Sequence, residues 1–279
     1  MKVLFAYDGS INGDWVAKYA IRLAANSETR TLTVVSVQKN TPPPRYLTEK
    51  INRITSIAAD RKVTLDVKLI NAKSVFEGVI SALEDPAGTL IVCSVRTRGN
   101  ARGYLYETAA FQLMKHPELN TVAFRIVQPG ILGSPHNILL PVAGRPSGIA
   151  GGVSLLHQMG STVRQCRVLH AVSVSPRHYL RLTATEMTNL RLHGESLVAA
   201  VGRHLSQQLN NPSIRIDTAV RVSEDWVREV IVDACAYKSD LIIVEAAGAS
   251  LRTALRRDDP IERLLHETPC DIAIHRRGD

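Results

Sequence analysis

The sequence has few aromatic residues and no long hydrophobic run, and each shortage excludes one kind of structure. Aromatic side chains make up only 5% of the 279 residues, so the core must be built from aliphatic side chains. No segment approaches the roughly 20 apolar residues of a membrane-spanning helix. The apolar start, residues 1–5, is too short for a secretory signal, whose hydrophobic region needs about 7–15 residues. We therefore expect a cytoplasmic protein.

Cysteine is also scarce, and the four cysteines form no Cys-x-x-Cys pair. Each of them lies in or beside an apolar run: Cys93, Cys166, Cys235 and Cys270. Buried free thiols are the prediction, in preference to a zinc site or a catalytic thiol. The nine histidines include no His-Glu-x-x-His motif, and His266 and His275 are expected at the surface or as capping residues. We predict no metal site.

The sequence motifs of common enzymes are missing as well. There is no Gly-x-x-x-x-Gly-Lys-Ser/Thr loop and no Gly-x-Ser-x-Gly elbow. Gly144, Gly148, Gly151 and Gly152 follow a strand, but their spacing is not that of a dinucleotide-binding loop, and no acidic residue ends the second strand. A permissive turn is the preferred interpretation. No catalytic residue is predicted, and a slow ATPase or a redox protein remains a minor alternative.

The net charge of +8 is spread unevenly over the chain. Residues 1–135 contain 17 basic and 11 acidic side chains, and residues 136–279 contain 17 and 15. A basic surface can attract nucleic acid or anionic ligands. Here the charges are scattered and no aromatic residues interleave with them, so a solvated surface is preferred and nucleic-acid binding is the lesser alternative.

The sequence does contain one pattern that occurs twice. Apolar strand-like runs alternate with helical patterns as β-α-β-α-β-α-β-α-β in each half. The predicted strands are 2–7, 31–37, 65–70, 89–95 and 121–127, then 137–142, 163–174, 214–220, 240–245 and 271–274. The predicted helices include 47–60, 75–83 and 105–115, then 179–209, 226–237 and 261–266. The first helix places Trp15, Tyr19 and Leu23 on one face.

This alternation predicts parallel sheets with helices on both faces, because a parallel strand needs a crossover that is usually a helix. The midpoint of the chain is rich in Pro and Gly, which is typical of a linker. We predict a first domain at residues 1–128, a linker at 129–135 and a second domain at 136–279.

The ends of the halves resemble those of the universal stress protein family. The first half opens with FAYDGS at residues 5–10 and an Ala-rich helix. The second half ends with DLIIV at 240–244, a Gly/Ser/Arg loop, a helix, HETPC at 266–270 and a last strand. The resemblance covers nearly all of both halves. It implies two open five-stranded sheets of order 3-2-1-4-5, a pseudo-dimer paired through the last strands, and a homodimer of such tandem chains.

The resemblance also indicates where a nucleotide would bind. ATP-binding members have an Asp after strand 1, and a Gly-x2-Gly-x9-Gly-Ser/Thr loop after strand 4 whose backbone approaches the phosphates. In the second half the loop begins at Glu245 and keeps only Gly248, and Asp258-Asp259 replace Gly-Ser. Ala143 replaces the Asp. We predict that this half has lost ATP binding.

The first half retains Asp8 and Gly9, but its loop after strand 4 has lost the glycine pattern. Arginine side chains in this loop could hold phosphate by bidentate hydrogen bonds. The candidate residues for ATP or another adenine nucleotide are Asp8, Gly9, Val37, Arg96, Arg98, Gly99, Arg102 and Thr108. The alternative is a solvated basic loop, with Asp8 accepting hydrogen bonds from the following turn or capping the first helix.

These observations predict a non-enzymatic stress-response or regulatory protein that acts through protein partners and has a degenerate ATP site. The alternative is a sensor of an adenine nucleotide or another phosphate ligand, with one live site in the first domain. No membrane partner is expected.

Overall fold

The structure, a computed structural model, describes residues 1–38, 45–95, 105, 108–142, 150–209, 213–246 and 260–278. The described strands are β1 (Lys2–Ala6), β2 (Thr31–Gln38), β3 (Thr64–Asn71), β4 (Thr89–Ser94), β5 (Asn120–Arg125), β6 (Asn137–Val142), β7 (Gln165–Ser173), β8 (Arg215–Ser223), β9 (Leu241–Glu245) and β10 (Asp271–Arg276). The described helices are α1 (Ile11–Ala25), α2 (Arg45–Asp60), α3 (Val75–Ala82), α4 (Ala109–Lys115), α5 (Ala150–Met159), α6 (Pro176–Tyr179), α7 (Ala184–Leu209), α8 (Trp226–Ala236) and α9 (Pro260–Glu267).

The strands form one sheet in the order β3-β2-β1-β4-β5-β10-β9-β6-β7-β8. Each half therefore has the order 3-2-1-4-5, with parallel pairing inside the half, and the predicted fold is confirmed. The inner strands of the sheet are buried on both faces, as the completely buried neighbours Ile242 and Ile243 illustrate, whereas the edge strands β3 and β8 are partly exposed. Continuous apolar strands of this kind suit a parallel sheet that helices cover on both sides.

The two halves meet where β5 and β10 pair antiparallel, from Arg125 opposite Ile272 to Thr121 opposite Arg276. This pairing, which we call the seam, removes one exposed edge from each half-sheet. The first residue of each strand also binds the chain beyond its partner strand. Asp271 Oδ1 accepts from the backbone N–H groups of Val127 and Gln128, both at 2.8 Å. Asn120 Oδ1 accepts from the N–H of Gly278 at 2.9 Å.

Helix α1 also connects the halves. It begins because the Ser10 side chain accepts from the N–H of Gly13 at 3.0 Å, and its predicted apolar face is buried at Tyr19 and Leu23. The Tyr19 ring stacks on Phe124 of β5 with 4.6 Å between centroids. Its hydroxyl donates to Asp271 of the second half at 2.7 Å. The fold of the second half is therefore tied to the first helix of the first half.

The predicted helix at 179–209 starts too early, since a break separates the short helix α6, which ends at Tyr179, from α7, which begins at Ala184. The break has a clear cause, because Thr183 and Glu186 form a capping box that starts α7. The Thr183 hydroxyl accepts from the Glu186 N–H at 3.3 Å, and the Glu186 carboxylate accepts from the Thr183 N–H at 2.9 Å. In the described part of the chain, no helix combines the length and the apolar character needed to cross a membrane.

Two predictions about individual side chains are wrong. Cys235 is exposed on α8, whereas Cys93, Cys166 and Cys270 are buried and free as predicted. His275 is only 5% exposed, because β10 continues through it to Arg276 and lies between β5 and β9. The boundaries of the domains and the linker stay a prediction, with a short 3-10 turn at Pro129–Ile131 inside the linker.

Candidate functional site

The carboxyl end of β1 carries a tightly constrained turn in the first half. Asp8 Oδ1 accepts from the backbone N–H of Ser10 at 3.0 Å, which fixes the turn as the sequence alternative predicted. Gly9 has a φ of 72°, in the left-handed region that favours glycine. A Cβ at this position would also lie 3.1 Å from Cδ1 of Leu47. Gly9 is therefore required by backbone shape, whether or not a ligand binds.

Side chains from two helices hold this turn in place. Lys50 of α2 donates to the Gly9 carbonyl and forms an ion pair with Asp14 of α1, both at 2.7 Å. The Tyr7 hydroxyl donates to the other oxygen of Asp14. Burial, reinforced by this hydrogen bond, raises the pKa of Tyr7 well above its usual value. Sequence analysis missed Lys50 and Asp14, because no local pattern shows that residues 36 positions apart meet at one turn.

Asp8 and Val37, two of the predicted site residues, line one cleft at the ends of β1 and β2. The cleft encloses about 170 Å³, and Tyr46 and Leu47 of α2 form part of its wall. One carboxylate beside apolar walls suits a flat heterocycle that donates a hydrogen bond through an amino group. The geometry thus places two predicted adenine-site residues together.

The remaining predicted residues divide into two groups. Arg96, Arg98, Gly99 and Arg102 lie outside the described residues. Thr108 acts as the N-cap of α4, since its hydroxyl accepts from the Phe111 N–H at 3.2 Å and donates to the Leu105 carbonyl at 2.6 Å. Its hydroxyl hydrogen already has an acceptor inside the protein. The role of all five in binding phosphate stays a prediction.

The corresponding edge of the second half contains an ionisable pair. Nδ1 of His275 lies 3.2 and 3.3 Å from the two carboxylate oxygens of Glu245, at the ends of β10 and β9. Both side chains lie against the first turn of α5. A Cβ on Gly151 would approach His275 Nδ1 to 2.2 Å and Glu245 Oε1 to 2.4 Å, so any larger residue there would have to displace this pair. Ala143, Gly248, Asp258 and Asp259 lie outside the described residues.

The strand registers show what this pair replaces. The N–H of Val95 bonds to the carbonyl of Phe124, just as the N–H of Ala246 bonds to the carbonyl of His275, both at 2.8 Å. The residues in the first half that match Glu245 and His275 are therefore Ser94 and Phe124. A hydroxyl and an aromatic ring in one half correspond to a carboxylate and an imidazole in the other.

Thiol and metal chemistry receive little support from the described residues. Burial raises the pKa of Cys93, Cys166 and Cys270 to about 12, so these thiols stay protonated and weakly nucleophilic at neutral pH. Within the ranges that the structure describes, no group of three or more His, Cys, Asp or Glu side chains could hold a metal ion.

Several solved structures share the fold of this chain. A universal stress protein from Archaeoglobus fulgidus DSM 4304 superposes with a TM-score of 0.64 and 11% identity, over 99% of this chain and 97% of that one. A putative universal stress protein from Pseudomonas aeruginosa UCBPP-PA14 gives 0.63 and 11%, over 100% and 94%. The cytoplasmic domain of a prokaryotic cation chloride cotransporter gives 0.59 and 11%, over 98% and 94%.

No protein-family model matches the sequence, and no curated protein matches it. The structural likeness is therefore one of fold, which is the tandem α/β fold of universal stress proteins. The resemblance inferred from the sequence is confirmed at that level. It extends over both halves and nearly the whole length of the chain.

Proposed function

We propose that this protein is a non-enzymatic regulator of the universal stress type, which acts through protein partners and has a degenerate ATP site. The single observation that carries the proposal is the position of Glu245. Its carboxylate lies at the end of β9 against the first turn of α5, at the place where the family's phosphate loop would begin. The chain's own anion thus stands where a ligand's anion would be needed.

The energetics disfavour a phosphate at this position in the second half. Two like charges at about 4 Å repel by roughly 1 kcal/mol in water and by more where water is partly excluded. The Glu245 side chain is only 18% exposed, so its screening is incomplete. Gly151 leaves the space that the pair itself fills, because a Cβ there would collide with both side chains.

A second function is supported by the cleft of the first half. Asp8 and Val37 line a cleft next to a turn fixed by Gly9 and Lys50. A preformed cleft of this kind could bind the heterocycle of an adenine nucleotide, and the arginines at positions 96, 98 and 102, which follow β4 in the sequence, are the predicted phosphate ligands. The protein would then be a sensor with one live half.

Thermal unfolding with and without millimolar Mg-ATP, ADP and AMP separates these two functions. A ligand that binds only the folded state adds roughly 2.7 kcal/mol at 100 times its dissociation constant. The lead proposal predicts no shift in the midpoint. A shift that disappears in Asp8→Ala supports the sensor, whereas one that survives Asp8→Ala contradicts both. Sustained ATP hydrolysis in a parallel assay would contradict the non-enzymatic assignment.

The proposal includes a cytoplasmic location and a homodimer of the tandem chain. Two sheet edges, β3 and β8, remain at the ends of the ten-stranded sheet. Sedimentation equilibrium tests the assembly, because a homodimer doubles the 30.6 kDa mass of the chain. A mass that stays at that of one chain at all accessible concentrations contradicts the dimer.

A further inference from the structure

A cleft between the two halves is separate from the Asp8 cleft and encloses about 410 Å³. It lies where the amino ends of β4 and β5 face α5 and the carboxyl end of β10. Its polar lining includes Asn120, Ser154, Gln158, His275 and Arg277. This volume falls within the roughly 300–1,000 Å³ of small-molecule sites.

His275 is the buried polar residue in the lining of this cleft whose orientation is fixed by a hydrogen-bonding partner. The His275 side chain is only 7% exposed, and Nδ1 faces the carboxylate of Glu245. In the described part of the chain, no group bonds to the other ring nitrogen, Nε2. A carboxylate at Nδ1 takes the Nδ1 hydrogen and fixes the orientation of the imidazole, so Nε2 donates to an anion only in the imidazolium form, in which both ring nitrogens carry a hydrogen. His275 therefore presents one oriented hydrogen-bonding atom, in a residue that lines the cleft.

The charge of the lining favours an anion. None of the described lining residues is acidic, the nearby Glu245 carboxylate is offset by the His275 imidazolium that it contacts, and Arg277 brings a further, permanent positive charge. Arg277 is exposed and has no acidic partner in the ranges that the structure describes. Leu90 and Leu155 supply an apolar wall in the same cleft. The arrangement suits an organic anion with a small apolar body and one carboxylate or phosphate group.

The first half shows how this cleft stays open. Phe124, the counterpart of His275, is covered by the Tyr19 ring at 4.6 Å between centroids. His275 lies against Gly151, which has no side chain. The matched position is thus filled by stacked aromatic rings in the first half and lines a polar cavity in the second half.

We propose that the cleft between the halves binds a small organic anion, which accepts hydrogen bonds from Arg277 and from Nε2–H of His275 in its imidazolium form, while Nδ1–H of the same ring donates to Glu245. The carboxylate of Glu245 acts through His275, so Glu245 is a positioning residue. This proposal goes beyond the function proposed above and does not depend on nucleotide binding at Asp8.

Three small probes test the proposal, namely benzoate, phenyl phosphate and the neutral analogue benzamide. Binding is followed by titration calorimetry and by the ¹⁵N signals of the imidazole rings, and the His275 signals are assigned by their loss in E245S/H275F. We expect an anionic probe to bind and to shift the Nε2 signal, while benzamide does neither. Binding by only one of the two anions supports the proposal and identifies the acidic group.

The double variant E245S/H275F copies Ser94 and Phe124 of the first half, so it removes the pair without leaving a buried charge unpaired. It should weaken binding roughly tenfold or more, as expected for one lost charge-assisted hydrogen bond. R277Q should weaken binding and is a surface change that leaves the fold intact. The control R203Q alters the net charge equally on exposed α7 and should have no effect.

Several results would overturn the proposal. They are the absence of binding by either anion at millimolar concentration, equal binding of benzamide and benzoate, and an Nε2 signal that stays unchanged on binding. Equal loss of affinity in R277Q and R203Q would also contradict it, because the effect would then reflect net charge alone. Asp8→Ala should leave the binding of both anions unchanged, which separates this cleft from a nucleotide site.

Discussion

The two halves share one fold but differ at matched positions beside the seam. In the first half Phe124 is covered by Tyr19, and the adjacent strand ends at Ser94. In the second half His275 and Glu245 occupy these positions and form a buried pair under Gly151. The duplicated domain thus keeps its strand order in both copies. One copy has a packed aromatic contact where the other has an ionisable pair beside a cavity.

The largest effect should come from Asp271→Ala, which breaks the seam on the side of the second half. Asp271 is 1% exposed and accepts from Tyr19, Val127 and Gln128. The buried Tyr19 hydroxyl would be left without an acceptor, at a cost of about 1–3 kcal/mol, and the half-buried N–H of Val127 and that of the exposed Gln128 would each lose a charge-assisted hydrogen bond, so the free energy of unfolding should fall by about 3 kcal/mol. Denaturant titration measures this change. The matched control Asn120→Ala, in the first half, should lower the free energy of unfolding by less. Equal losses would contradict this difference between the halves.

Gly151→Ala should have the next largest effect, since the new methyl group would meet His275 and Glu245 at 2.2 and 2.4 Å. Overpacking of a buried site costs about 1–3 kcal/mol. Gly130→Ala is a suitable control, because a Cβ there has nothing within 4 Å. Thermal unfolding should show a lower midpoint for Gly151→Ala only. Equal midpoints for the two variants would show that the pair does not fill this space.

A smaller effect is expected in the pH dependence of stability. Burial raises the pKa of Asp271, although hydrogen bonds from Gln128, Val127 and Tyr19 act in the opposite direction. The folded state thus holds this proton more tightly than the unfolded state, and the stabilisation is lost as the pH rises through the raised pKa. Relative to Asp271→Asn, the wild type should be more stable at about pH 4 than at about pH 7. The opposite trend would mean that the hydrogen bonds outweigh burial.

The smallest effect concerns the cysteines. Cys235 is exposed, whereas Cys93, Cys166 and Cys270 are buried with a pKa of about 12. In the native protein a thiol reagent should modify one cysteine quickly and the other three only on unfolding. Cys235→Ser should abolish the fast reaction and change the stability by less than about 0.5 kcal/mol. Fast modification of a second thiol would contradict the assigned burial.

The sequence was sufficient for the fold, because alternation of strands and helices is a local signal that occurs twice. The break between α6 and α7 is also encoded in the sequence, by the capping box of Thr183 and Glu186, which the helical periodicity of apolar residues does not reveal. The pair of His275 and Glu245 could not be predicted. Its members lie 30 residues apart, and only the register between β9 and β10 brings them together.

We propose that the halves are not equivalent in nucleotide binding, because the Glu245 carboxylate of the second half lies where a nucleotide's anion would bind. Titration calorimetry with Mg-ATP on the wild type and on Asp8→Ala tests it most directly. We predict at most one nucleotide for each chain, and none in Asp8→Ala. Two nucleotides for each chain, or one that remains in Asp8→Ala, would contradict the claim.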